Sequence, residues 1–375
     1  MRVLIGDFVV LMILLSWSSA APAQISAAAI DGLFSKFVSS RDPGCAVLVI
    51  KDARPAFQKG YGVADLRTLQ KIGPETNFRL ASLTKQFTAT AAMLLVHDGK
   101  LHYEDRLTDV FRDFPAYGKA ITIRQLLNHT SGLVDYEDIM AKQYAGISDD
   151  KIPQIRDAGV LDLLKQQTGT KFRPGTRWEY SNSGYVVLAM VVEKRSGMSF
   201  GDFLRRRIFA MLGMTGTIAY EKGRNEVARR AYGHTRTADG WSETDQSSTS
   251  ATLGDGGVYT SLDDLEKWDR ALAGHTLLSA KEMEPALTPA NGAPLQQSDG
   301  SVAPLYGFGW FLNPYRGHRR YAHYGETVGF RSAIQRFPDD RLTVIVLSNR
   351  AEVDASALAE GVVDLYFPKH QTIVR

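Results

Sequence analysis

Residues 78–99 read Phe-Arg-Leu-Ala-Ser-Leu-Thr-Lys-Gln-Phe-Thr-Ala-Thr-Ala-Ala-Met-Leu-Leu-Val-His-Asp-Gly. Phe78-Arg79-Leu80 is strand-like. A helical pattern follows from Leu83 to Asp98, with Phe87, Ala91, Leu94 and Leu95 on one face and Gly99 as its stop. Ser82-Leu83-Thr84-Lys85 sits at the junction. A spacing of three puts the Lys85 amine on the helix face that carries Ser82. Serine becomes a nucleophile only beside a base, and the dipoles at a helix N-terminus favour developing negative charge. Ser148-Asp149-Asp150-Lys151 repeats the spacing in a polar stretch with no apolar stripe behind it, and reads as a solvated loop.

Working outward, a helix is expected over Ile30–Ser39. Strands are expected at Ala46–Lys51 and Ala56–Tyr61, with Asp52-Ala53-Arg54-Pro55 as their turn. The middle of the chain reads as helices in long loops. These are Ile123–Asn128, Tyr185–Arg195 capped by Asn182 or Ser183, and one opened by the capping-box-like Ser261-Leu262-Asp263-Asp264. Strands return at Tyr306–Asn313, Arg320–Tyr324, Phe330–Phe337 and Leu342–Asn349, and Asp354–Phe367 reads as a closing helix. Strands at both ends around helices imply an α+β fold, an α/β sandwich. Its antiparallel sheet, flanked by helices, would come from residues 24–103 and 288–375. An inserted, mostly α-helical domain would span 104–287, with the site between the two.

The chain has 375 residues, 44% of them hydrophobic and 23% charged, as in ordinary globular proteins. A net charge of +3 gives no electrostatic footprint for nucleic acid. The run Arg205-Arg206-Arg207 fits the solvated face of an amphipathic helix. The single cysteine, Cys45, excludes an intramolecular disulfide, and before Ala-Val-Leu-Val-Ile it reads as a small buried hydrophobe. The spacings of His97/His102 and His318/His323 suit no helix-face metal pair, so no metal is expected. Phe8–Trp17 is too short to span a bilayer of ~30 Å. With Arg2 before it and Ala21-Pro22-Ala23 after it, it reads as a signal peptide over residues 1–23. Export to the periplasm or medium, with no stable membrane anchor after cleavage, is the expectation.

Two further motifs accompany Ser82. Tyr180-Ser181-Asn182 follows the turn Pro174-Gly175 and precedes a helix; a phenol beside a cationic lysine is favoured as phenolate and can act as a base. His323-Tyr324-Gly325, with Glu326 next, lies on a late strand, where glycine marks a close approach. In this order and context the three motifs resemble the serine β-lactamase and penicillin-binding-protein superfamily. The resemblance is greatest to its class C β-lactamase-like branch, which includes D-alanyl-D-alanine carboxypeptidases, D-amino-acid peptidases and esterases. Leu126-Leu127-Asn128-His129-Thr130-Ser131-Gly132-Leu133 and Gly256-Gly257-Val258-Tyr259-Thr260-Ser261 extend it.

The resemblance implies an acyl-enzyme on Ser82, proton traffic shared by Lys85 and Tyr180, and Asn182 orienting substrate or Lys85. The backbone N–H groups of Ser82 and Glu326 would form an oxyanion hole, and no cofactor is implied. His323, Tyr324, Gly325 and Glu326 would meet a small-molecule or peptide substrate. The late strand departs from the Lys-Thr-Gly or Lys-Ser-Gly of many β-lactamases. His323 replaces lysine, Tyr324 replaces the small hydroxyl residue that grips a carboxylate, and Glu326 adds negative charge. These changes favour an esterase or peptidase over an efficient β-lactamase, with a class C-like β-lactamase or D-alanyl-D-alanine carboxypeptidase as the alternative. The competing reading from another class is a non-catalytic binding or assembly protein on the same fold.

Overall fold

The computed structural model describes residues 25–290, 295–297 and 299–367, so the signal-peptide stretch lies outside the described residues. The strands are β1 (Cys45–Lys51), β2 (Arg54–Tyr61), β3 (Val63–Asp65), β4 (Gln70–Lys71), β5 (Phe78–Arg79), β6 (Ile218–Ala219), β7 (His234–Thr237), β8 (Gly240–Glu243), β9 (Val258–Thr260), β10 (Tyr321–Thr327), β11 (Phe330–Phe337) and β12 (Leu342–Ser348). The helices are α1 (Ala27–Leu33), α2 (Lys85–His97), α3 (Leu107–Val110), α4 (Ile123–Leu127), α5 (Tyr136–Gln143), α6 (Asp157–Lys165), α7 (Asn182–Ser196), α8 (Phe200–Leu204), α9 (Ala210–Leu212), α10 (Leu262–Ala273), α11 (Ala280–Met283) and α12 (Ala355–Tyr366).

Cys45 to Ile50 is apolar at every position because both faces of β1 are covered. Ala46, Leu48 and Ile50 join the main core with residues of α2 and α7. Cys45, Val47 and Val49 join a second core with Ile30, Phe34 and the α12 residues Val362 and Val363. Burial there pushes the Cys45 thiol up to about 12, which keeps it a thiol and inert. The main sheet has the order β10-β11-β12-β1-β2, and its neighbouring pairs are antiparallel. The first and last thirds of the chain therefore share one sheet, because β1 pairs with β12 from Cys45↔Ser348 to Lys51↔Leu342.

Local chemistry moved several boundaries. The β1–β2 turn is only Asp52-Ala53, both left-handed (φ 53° and 62°), so Arg54 and Pro55 already belong to β2. That geometry suits the twist of a two-residue hairpin, and Pro55 is tolerated because β2 is an edge strand. The first helix ends at Leu33 and gives way to a 3-10 turn, Ser35–Phe37. α7 begins at Asn182, with Ser181 as its cap. Asp135 accepts the Asn182 N–H at 2.6 Å, which satisfies a donor that propensity alone leaves orphaned. Tyr306–Asn313 forms no strand; Tyr306 and Phe311 make isolated bridges, one of them from Phe311 to Ala322 on the β10 edge.

α10 falls within the 104–287 stretch of sequence, yet it is tied to the sheet. Its buried Asp269 accepts from Arg336 Nε at 2.6 Å on β11 and from Thr343 Oγ1 at 2.8 Å on β12. Removing one partner of a buried pair leaves an uncompensated charge. Asp269→Ala should therefore cost about 3 kcal/mol in urea-unfolding experiments.

Candidate active site

Ser82 lies in a 3-10 turn, Ala81–Thr84, that runs directly into α2. Of residues 76–95, Ser82 is the one that is not buried. Sheets hold the turn on both sides. Leu80 N–H donates to the Val258 carbonyl of β9 at 2.9 Å, and Val258 N–H donates to Thr84 Oγ1 at 3.2 Å. Ser332 Oγ of β11 donates to the Leu80 carbonyl at 2.8 Å. Ala81 is left-handed (φ 49°), a conformation that costs a non-glycine residue ~1 kcal/mol or more and persists only where its surroundings fix it.

Lys85 is wholly buried. Its Nζ lies 3.0 Å from Ser82 Oγ, 2.9 Å from Asn182 Oδ1 and 3.0 Å from the Asp255 carbonyl oxygen. The last two oxygens can only accept. In the neutral amine they take both N–H bonds and leave the lone pair facing Ser82 Oγ. In the ammonium the third hydrogen points there instead. The amine is thus oriented to take the Ser82 proton and to return it. The Tyr180 ring stacks beside Nζ, 4.9 Å from its centroid, and the Tyr185 ring is at 5.5 Å. Ser82, Lys85, Tyr180 and Asn182 are therefore brought together. Ser148 is exposed, and its hydroxyl bonds Asp150 rather than Lys151.

The late strand divides its residues between two faces. Gly325 lies against the nucleophile turn: a Cβ there would sit 2.1 Å from the Leu80 carbonyl oxygen and 2.2 Å from Ser332 Oγ. His323 shares that face and is buried. Its Nδ1 lies 2.8 Å from the Tyr324 carbonyl oxygen and 2.9 Å from the Tyr324 nitrogen, and its Nε2 lies 3.0 Å from Tyr306 Oη. Burial first, and the Lys85 charge second, hold His323 down to about 3. It is not a cation at neutral pH. Tyr324 points the other way. It packs on the second core opposite Ala333 and is hydrogen-bonded to Ser356 near the start of α12, so its side chain is not placed with Ser82. The Glu326 side chain shares the Tyr324 face, away from Ser82, and pairs with Arg331 at 2.9 Å. Ala322 exchanges both backbone hydrogen bonds with Phe311, so the N–H of every second residue from there points away from β11. The Glu326 N–H is consequently at the open edge, one residue past the Gly325–Leu80 contact.

The sequence reading missed a second layer. His129, left-handed at φ 60°, packs against Tyr180 with ring centroids 4.4 Å apart and planes tilted by 37°. Its Nδ1 accepts the Ser181 N–H at 3.2 Å and its carbonyl accepts the Glu179 N–H at 3.0 Å, clamping the chain on both sides of Tyr180. Burial, then Lys85 and His323, keep His129 well below the ordinary histidine value. On the far side, Tyr136 Oη donates to Asp255 Oδ2 at 2.9 Å, and Asp157 accepts from the Leu253 and Gly254 N–H groups. Burial and then the Asp255 charge raise Asp157 to about 7; burial, then Asp135 and Asp255, raise Glu137 to about 7. His129 lies within Leu126–Leu133 and Asp255 directly before Gly256–Ser261, but nothing in residue type or spacing separates them from turn formers.

Comparison with known proteins follows the same outline. A protein-family model described as Beta-lactamase matches residues 30–366. The chain is 34% identical over 320 residues to penicillin-binding protein 4* of Bacillus subtilis, covering 82% of this chain and 68% of that protein. It is 29% identical over 317 residues to a D-aminopeptidase of Brucella anthropi, and spans only 56% of that protein's length. The crystal structure of D-amino acid amidase from Ochrobactrum anthropi SV3 complexed with D-phenylalanine superposes with a TM-score of 0.73 at 25% identity, covering 91% of this chain and 98% of the other.

Two outcomes follow from the geometry. Gly325→Ala should abolish turnover by displacing the Ser82 turn, whereas Tyr324→Phe should leave kcat within about threefold of wild type, as measured on any substrate turned over. His323 also links pH to stability. Below pH ~6.5 the unfolded chain protonates this histidine while the folded chain does not until about 3, so its contribution is present above ~6.5 and lost as pH falls. Relative to His323→Gln, the wild type should lose about 3 kcal/mol of stability between pH 7 and pH 4 in denaturant titrations.

Proposed function

We propose a specific chemistry for this chain, which belongs to the beta-lactamase family and is a serine hydrolase: Ser82 takes the acyl group of an amide or ester, and water then releases it. The observation that carries this reading is the buried Lys85 amine, held by two obligate acceptors with its remaining valence on Ser82 Oγ. As the Ser82 Oγ–acyl carbon bond forms, the hydroxyl proton passes to Lys85 or Tyr180. The tetrahedral oxygen is met by the Ser82 and Glu326 N–H groups, contacts of a kind worth ~3–4 kcal/mol per donor. The bond to the leaving group then breaks, with the proton going to its nitrogen or oxygen. Water repeats the sequence on the acyl-enzyme.

The substrate class follows from the charges around this centre. Penicillins and D-Ala-D-Ala termini carry a carboxylate beside the scissile amide, and holding it requires a cation and a hydroxyl. His323 is neutral and Tyr324 faces away, which weighs against such substrates. Asp135, which accepts the Asn182 N–H, and Glu137 beside Asn182 place carboxyl groups rather than cations there, and these suit an ammonium group as a hydrogen-bond donor. The D-aminopeptidase and D-amino acid amidase relatives agree with a D-amino-acid amide bearing a free amino group; short acyl esters, which need only nucleophile and oxyanion donors, are the second class. The Phe8–Trp17 run with Ala21-Pro22-Ala23 supports an exported protein.

A fluorophosphonate should add once per chain, and the adduct should vanish in Ser82→Ala; an adduct that persists there, or maps to Ser148, would overturn the assignment. The wild type should hydrolyse D-alanine p-nitroanilide and p-nitrophenyl acetate with a higher kcat/KM than any penicillin or cephalosporin. Acetylating the amino group of the anilide should raise KM. A cephalosporin turned over faster than every ester and D-amino-acid amide would reverse this ranking.

A further inference from the structure

We propose that Asp255 is the buried counter-charge of Lys85, a positioning residue that favours the ammonium form of the amine and so sets the pH at which Ser82 becomes reactive; this rests on the reading of Ser82 and Lys85 given above. Asp255 is 6% exposed and Lys85 0% exposed. The three hydrogen bonds of Lys85 go to a hydroxyl, an amide oxygen and a main-chain carbonyl, none of which carries a charge. An ammonium kept from water on such partners alone is costly unless an opposite charge is near. The carbonyl among them belongs to Asp255, so the Asp255 carboxylate is tethered one short side chain from that contact, beyond direct ion-pair distance of the amine. That carboxylate has the complementary deficit. Oδ2 accepts one bond, from Tyr136, and Oδ1 is buried with no hydrogen-bond partner among the described residues.

The backbone fixes the arrangement. A Cβ on Gly254 would stand 2.3 Å from the Tyr185 carbonyl of α7, and Thr88 of α2 donates to the Gly254 carbonyl at 2.6 Å. Asp157, at the start of α6, ties down the Leu253 and Gly254 N–H groups. The other titratable groups facing the pair are Asp135, Tyr136 and Glu137 at the start of α5, Asp157, Tyr180, Tyr185, and the neutral histidines His129 and His323. When Ser82 Oγ bonds to the acyl carbon, its O–H bond breaks and the proton goes to the Lys85 lone pair or to Tyr180 with Lys85 as ammonium beside it. Asp255 stabilises the ammonium and surrenders no proton itself.

The test is the rate of Ser82 labelling by a fluorophosphonate, which needs no natural substrate, followed from about pH 5 to about pH 10 in the full chain. In Asp255→Asn the inflection governed by Lys85 should move to lower pH by about one to two units, and Asp255→Glu should restore it. The acid limb moves if Lys85 is the base; the alkaline limb moves if its ammonium is needed beside Tyr180. Asp255→Ser removes the same charge and replaces the Asn variant if that one does not fold. Unmoved inflections in a folded charge-removing variant would overturn the proposal while leaving Ser82 as nucleophile. Absence of Ser82 labelling in the wild type at every pH would instead overturn the reading on which it rests.

Discussion

A lysine amine with no access to water has to find its partners inside the protein, and at Lys85 those partners come from three separate parts of the chain. Ser82 is on its own turn, Asn182 opens α7, and Asp255 lies in the loop before β9. Each oxygen must be within about 3 Å for the amine to be satisfied, so the approach of α7 and of that loop to α2 is set by one nitrogen. The aromatic wall follows from the same constraint. Tyr180 and Tyr185 face the amine, and His129 is locked in position by the backbone on either side of Tyr180.

The sheet supplies the opposite wall. β10 comes so near the nucleophile turn that position 325 has no room for a Cβ, and the Ser332 hydroxyl secures the contact. Strand alternation then decides which neighbouring side chains take part. His323 falls on the nucleophile's side and gives up its charge to be there, while Tyr324 and Glu326 fall on the other side and are engaged by α12 and Arg331.

Ser82, Lys85, Tyr180 and Asn182 were legible in the sequence because their spacing is local: three residues along a helix, or two across a helix cap. The sheet was legible for a similar reason, since the unbroken apolar run from Cys45 to Ile50 requires cover on two faces. What escaped was set by partners distant in sequence. The start of α7 was read too late because Asp135, far upstream, satisfies the Asn182 amide. Adjacency in the motif suggests that the Tyr324 and Glu326 side chains face Ser82, which a strand's period of two contradicts, while the Glu326 N–H stays at the open edge beside the nucleophile turn. Asp255 carries its main-chain contact to Lys85 at a position where any residue type offers the same carbonyl, so no composition signal could mark it.

The pairing of β1 with β12 reaches beyond catalysis. Cys45 meets Ser348 across nearly the whole described chain, and Gly44 N–H is held by the Asn349 side chain at 2.8 Å. Closing so long a loop is entropically demanding, and sheets of this contact order form slowly. The β1–β2 hairpin leaves the second edge of β1 unpaired until Leu342–Ser348 is available to fill it. A chain lacking β12 is thus unable to complete its central sheet, and the open edge of β1 is then a site for non-native pairing.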